Sequence, residues 1–561
     1  MSSATPTSGT SPVRRLSLAG VLRLRRPSEI WFKPALSSVA AVAPPNLLLL
    51  ALGRLDLAMY TMAGSLCALY AHNRPYAARA RTLAWVVLGM LGGLAVALVT
   101  ASLTRNAVVL VTVGALLAAV QKALCDATRV GPPGNVVLTF ISSAALFVPQ
   151  TLGQVPGHLA LATAAGVWAW LVGMAPAPIR PHGPERRATA QALNAAAAYA
   201  ASHRTGEDAP ARAAGYAAVQ AAWQTLLALP STGARAITRH ALERLVVRAE
   251  VALAAPADAD PERLRAWAHA LRGGGRIPRT GDAPGDRDEL LGVDAELAAR
   301  PAPLWQRLGP LAPIAARTAL GCALAGYASL ALGIGRPYWA LVTAAALYQA
   351  NLTLTWSRAV QRVVGNLAGV LLFAAIAPLA HLGQALLVLC CLALNFGAEA
   401  LITRNYWLGS VCVTPMALLV TEFAGYQAPG DLMTERAVDT LVGALVGFLA
   451  AVVVTNRRAG NRVEEAVAAA DRARERAARL LAEAAPAPGA LEAARRGLAA
   501  ALTDLRATAD GAAGEWWGRA LPQERVVLAE RSGHRTLAEA VRRQAVRPDR
   551  DAGTRTEDVR P

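Results

Sequence analysis

Apolar residues in this chain recur in blocks of about 18 to 22, and that repetition limits the fold before any motif is read. At about 1.5 Å of rise per residue, one block wound as an α-helix crosses ~30 Å of hydrocarbon. With 54% hydrophobic and 17% charged residues over 561 positions, the chain is too apolar for an ordinary soluble protein of its length. The expected fold is all-α, a polytopic membrane protein.

Six spans are predicted near 35–52, 55–72, 83–101, 104–121, 135–152 and 157–176, and six more near 310–333, 337–355, 363–380, 383–402, 406–422 and 436–455. They divide the chain into a basic N-terminal tail (1–33), a first six-helix half (34–178), a helical insert (179–305), a second six-helix half (306–456) and a helical C-terminal region with a disordered end (457–561). The tail carries Arg14, Arg15, Arg23, Arg25, Arg26 and Lys33 against Glu29. Pro44-Pro45 interrupts the apolar run that a signal peptide would need, so the tail is read as uncleaved and cytoplasmic. Arg74, Arg79, Arg81, Lys122 and Arg129 then fall on inner links, as do Arg358, Arg362, Arg404, Arg457 and Arg458 in the second half. The insert and both termini are therefore expected in the cytoplasm of a plasma-membrane protein. Both halves share one orientation, which implies parallel repeats about an axis along the membrane normal, with a pathway at their seam.

Composition also excludes chemistries. The formal charge of +18 comes almost wholly from arginine, since Lys33 and Lys122 are the only lysines. Neither lysine stands in a Gly-x-x-x-x-Gly-Lys-Ser/Thr loop, so the chain carries no P-loop of its own. No aromatic-interleaved basic platform suits nucleic acid. The six cysteines, Cys67, Cys125, Cys322, Cys390, Cys391 and Cys412, have no C-x-x-C spacing and read as small apolar fillers. No cofactor, metal or catalytic activity is expected; a homo-oligomer is left open.

Arg336 to Leu372 is the richest stretch. Tyr338-Trp339 opens an apolar run as an interfacial aromatic pair would. Asn351, Trp356, Arg358 and Arg362 follow, then Gly365-x-x-x-Gly369. Arg358 and Arg362, four apart, share a helix face and could hold a carboxylate at a cytoplasmic mouth, or serve only to orient the spans. Arg79 and Arg81 are their first-half counterparts. Glu399, inside an apolar run, is a candidate proton carrier or a carboxylate satisfied by Thr403 or Arg404. Asp439 is a second proton-coupling candidate, or a local partner of Arg436. Arg317 either snorkels to the inner surface or faces the pathway. Gly365/Gly369 and Gly443/Gly447 would allow close helix approach.

Tyr338-Trp339-Ala340, the run from Arg358 to Gly369, and Arg436-x-x-Asp439-Thr440-x-x-Gly443 resemble the fusaric acid resistance, or aromatic acid exporter, family over about 320–455, and more faintly over 35–175. The resemblance implies a secondary, proton-coupled exporter of small aromatic or amphipathic organic anions. In that reading Arg358 and Arg362 recruit substrate, Tyr338, Trp339 and Asn351 line or gate the path, and Glu399 carries the proton. A passive organic-anion channel of the same architecture and a membrane-anchored scaffold are the alternatives.

Overall fold

The protein is described from a computed structural model covering residues 18–24, 31–203, 209–228, 234–273, 276–279, 303–349, 351–454, 459–487, 489–513 and 523–545. Arg457, Arg458 and the chain's last dozen residues, read above as inner-link charges and a disordered end, lie outside the described residues. Among those residues the chain is helical, with no strand. The first membrane set comprises α1 (Phe32–Ala51), α2 (Ala58–Ser65), α3 (Tyr76–Leu103), α4 (Ala107–Thr128), α5 (Val136–Leu146) and α6 (Val155–Met174). After α7 (Gly183–His203), α8 (Ala209–Leu227), α9 (Ala234–Ala254) and α10 (Pro261–Arg272) comes a short α11 (Leu304–Leu308). The second set is α12 (Ala312–Ala331), α13 (Tyr338–Leu347), α14 (Leu352–Ala380), α15 (Gln384–Ile402), α16 (Tyr406–Thr421) and α17 (Pro429–Val453). Among the described residues three amphipathic helices follow: α18 (Ala459–Ala482), α19 (Ala490–Ala513) and α20 (Gln523–Ala545).

Nine of the described helices, α1, α3, α4, α6, α12, α14, α15, α16 and α17, are long and apolar enough to cross a membrane. The chain is a multi-pass integral membrane protein. Three of the expected spans are corrected: the stretch Leu55–Leu69 around α2, and helices α5 and α13, are too short to cross unaided. At ~1.5 Å per residue, α13 covers only about half the hydrocarbon thickness. Such short pieces persist because protein surrounds them. All ten residues of α13 are buried, from Tyr338 to Leu347. Lipid instead meets Trp85, Leu116, Leu371, Leu389 and Leu445, which stand exposed on the long helices as water would not favour.

Two expectations about local chemistry also change. Pro44 and Pro45 lie inside α1 rather than ending it. Arg358 and Arg362 do not sit in a link between spans, because α14 already begins at Leu352 and carries both within its early turns.

Small residues set the packing. A Cβ at Gly443 would lie 2.5 Å from the Ala340 carbonyl oxygen, so α17 and α13 touch backbone to backbone. Gly365 is as close to Trp407 of α16, and Gly64 of α2 meets Ala162 of α6 at 2.2 Å in the same sense. Between the sets, α1 packs on α15 and α12 packs on α4. The α13 aromatics add a third junction, Trp339 lying 5.6 Å from Phe140 and Tyr338 5.7 Å from Phe147, ring centre to ring centre, both partners from α5 and its end.

Outside the membrane sets, α7 to α10 bury Leu193, Trp223, Leu245 and Leu253 in one core. The C-terminal helices dock on it. Glu250 of α9 accepts a bond of 2.8 Å from the Trp223 indole and another of 2.8 Å from Arg495 of α19.

Candidate functional site

A polar cluster lies among α12, α13, α14, α16 and α17. Its most buried arginine is Arg436 on α17, 1% exposed, with its guanidinium carbon 4.1 Å from the centre of the Trp339 ring. Arg436 Nε and Nη1 have no hydrogen-bond partner. Asp439, one turn on, does not pair with it as the three-residue spacing suggests. Asp439 Oδ1 accepts from Ser329 Oγ of α12 at 2.6 Å, and Oδ2 is unpartnered. The other ionisable groups close enough to act on Arg436 are Arg362, Tyr338 and Tyr406.

Arg358 and Arg362 converge on one ring. Arg362 Nη1 donates to Tyr406 Oη at 2.7 Å, and the Arg358 guanidinium stacks 3.9 Å from the same ring's centre. Arg362 Nε is buried without a partner, as is Thr343 Oγ1 of α13. One turn beyond Arg362, Asn366 donates to Thr440 Oγ1 at 3.0 Å and accepts from Thr414 Oγ1 at 2.9 Å, tying α14, α17 and α16 together.

Most buried polar atoms in proteins find partners, and each charged orphan carries a desolvation cost larger than the ~1–3 kcal/mol of a neutral one. Orphans on Arg436, Asp439, Arg362 and Thr343, all on membrane helices, make this cluster a candidate place to meet a polar group from outside the chain. Two guanidinium forks in a weakly polar surround favour a carboxylate. The aromatic faces of Tyr338 and Trp339 stand beside them.

The cluster is covered at both ends. Towards one surface Arg336 forms an ion pair with Glu435 and a hydrogen bond with Gln427. Towards the other, residues 18–24 lie across the start of α16, with Asn405 donating to the carbonyls of Val21 at 3.0 Å and Arg23 at 3.1 Å.

Residues 323–450, which hold every member of the cluster, match the family model described as fusaric acid resistance protein-like. This part of the chain is similar to that family. A relative, the uncharacterized membrane protein YvaC of Bacillus subtilis (strain 168), is 35% identical over 141 residues, which cover 25% of this chain and 22% of YvaC. The chain thus spans well under two thirds of that relative's length. No solved structure matches it.

The other expected site residues lie elsewhere. Asn351 caps α14, its side-chain oxygen accepting from the Leu354 amide at 2.8 Å. Arg317, 3% exposed, closes the far end of α17 by donating twice to the Val454 carbonyl, at 3.0 and 2.8 Å, so it neither snorkels nor reaches the cluster. Arg79 is likewise spent on main-chain carbonyls, those of Ala71 at 3.0 Å and Gly173 at 3.1 Å. Glu399 is half-buried on α15, and neither Thr403, which bonds Ala400, nor the exposed Arg404 satisfies it. No bond joins Glu399 to the cluster. Tyr338 and Trp339, read as an interfacial pair, are buried at 6% and 1% exposure. Sequence reasoning named Arg436 only as a local partner of Asp439, within the motif that carries the resemblance, and passed over Tyr406, Ser329, Thr343, Asn366 and Thr414.

Proposed function

We propose that the protein is a secondary transporter exporting small aromatic or amphipathic organic anions from the cytoplasm of a cell bounded by its membrane. The observation that carries this is Arg436, a buried guanidinium with two unpartnered nitrogens lying on the face of Trp339. A carboxylate bound there would satisfy the fork, while the ring of an aromatic acid would lie against Tyr338 and Trp339. Arg358 and Arg362, held by Tyr406, would receive the anion first. The similarity of residues 323–450 to the fusaric acid resistance protein-like family agrees with export of such a compound.

Coupling to protons is assigned to Asp439 rather than Glu399, because Asp439 lies one turn from the anion's arginine and keeps one oxygen unpartnered. The reciprocal packing of α1 on α15 and α12 on α4 supports two like-oriented halves whose relative rocking would open the cluster to either side in turn.

The test is flux of benzoate and cinnamate in proteoliposomes under an imposed pH gradient. Flux that follows the gradient in the native chain, and loses that dependence in Asp439→Asn, supports the proposal. Flux that tracks voltage alone, with single-channel steps, would make the protein a channel. No flux of any anion would refute transport.

A further inference from the structure

We propose that residues 18–24 are a detachable strap that inhibits the transporter by closing the mouth at Arg358 and Arg362. The inference rests on the proposed transport reading for its consequence but on geometry for its existence. Three successive main-chain carbonyls, those of Val21, Leu22 and Arg23, are each taken by side-chain donors remote in sequence. Gln361 Nε2 donates to Val21 at 2.9 Å, and Trp407 Nε1 donates to Leu22 at 3.2 Å. Asn405 Nδ2 bridges Val21 at 3.0 Å and Arg23 at 3.1 Å.

These donors surround the site's entrance. Gln361 precedes Arg362, and Asn405 and Trp407 flank Tyr406, the ring on which both arginines converge. They are the neutral donors that an arriving anion would meet beside the two guanidinium groups. While the strap holds them, its carbonyl oxygens stand where the anion's oxygens would.

The strap is also poorly anchored by apolar contact. It buries Val21 at 8% exposure but leaves Leu18, Leu22 and Leu24 exposed at 63%, 40% and 55%. A segment packed permanently into the fold would bury its leucines and leave its main chain to a neighbouring helix or turn. Here recognition falls on the main chain and one valine. The short link to α1 keeps the segment near its seat after release, so rebinding is intramolecular.

The experiment uses the full chain with Ser357→Cys, one helical turn from Gln361 on the same face. The labelling rate by a small neutral maleimide is measured beside benzoate flux. Strap release is produced in two ways. Deletion of residues 1–24 removes it, and Asn405→Ser removes two of its bonds while keeping a side chain suited to capping α16. The expected result is labelling at least fivefold faster in both, with initial flux raised several-fold. Labelling unchanged in the Asn405→Ser protein, or flux that falls when the strap is released from a protein still monodisperse, would overturn the proposal. Faster labelling with no flux in any variant would leave the strap standing and refute the transport reading instead.

Discussion

Replacing Arg436 by methionine separates a ligand-binding arginine from a structural one. The side chain is 1% exposed and makes no side-chain hydrogen bond, so its one direct contact is the Trp339 face, with Asp439 attracting and Arg362 repelling it from further off. A desolvated cation–π contact is worth about 2 kcal/mol. Against it stands the cost of burying a guanidinium without an ion pair, which is several kcal/mol even after relaxation. Arg436→Met fills much the same volume and removes both terms, so stability should hold or rise. Binding should respond in the opposite direction. A hydrogen bond to a charged group contributes about 1.5–3 kcal/mol, and 1.4 kcal/mol is tenfold, so affinity for an aromatic carboxylate should fall roughly 10- to 150-fold. The assay is concentration-dependent benzoate flux in proteoliposomes, normalised to monodisperse protein, with thermal unfolding of the same samples in detergent. Arg436→Lys keeps the charge without the planar fork and should fall between the two. Unchanged KM together with a fall in Tm would show that Arg436 braces Trp339 and takes no substrate.

Two further outcomes test the frame around the cluster. Gly443→Ala places a methyl 2.5 Å from the Ala340 carbonyl, and Gly64→Ala one 2.2 Å from the Ala162 carbonyl, so each should destabilise by about 1–3 kcal/mol, read as a lower Tm. An unchanged Tm at both would show that these helix contacts yield. In α20, burial and the nearby Arg212 charge push His534 down to about 4, while its ring lies 4.9 Å from Tyr216 of α8. An unfolded histidine titrates near 6.5, so the stability this group contributes is complete above that pH and is lost as pH falls towards 4, at up to about 1.4 kcal/mol per unit. Unfolding of the full chain between pH 7 and 5 should therefore be steeper in pH than that of His534→Phe; parallel curves would refute the assignment.

Apolar periodicity made the helix order legible, and the glycine pairs announced contacts that the fold contains, Gly365 on α16 and Gly443 on α13. Helix length was less legible, since an apolar run looks alike whether it meets lipid or protein. The run from Tyr338 was therefore read through to residue 355, although α13 stops at Leu347 and α14 starts at Leu352. Arginine was the hardest residue to assign. Arg79 and Arg358 fit the positive-inside pattern and Arg317 offers either snorkelling or a pathway role, but Arg79 and Arg317 close carbonyl ends and Arg358 stacks on Tyr406. Arg436 and Asp439 stand at ion-pair spacing, so local reasoning joins them. Trp339 and Ser329, brought in from other helices, draw them apart. Nothing in the local pattern of residues 18–24 reveals that Gln361, Asn405 and Trp407 wait for their carbonyls.

Glu250 carries a consequence beyond its own neighbourhood. The polypeptide that joins one membrane set to the other is gripped by helices that follow the last span, Arg495 bonding Glu250 and Arg496 lying over the Trp223 ring. Its two bundles are thus yoked twice, once along the backbone and once by this clasp. Any swing of one bundle against the other must either carry the clasped body along as a rigid lever or spring it open.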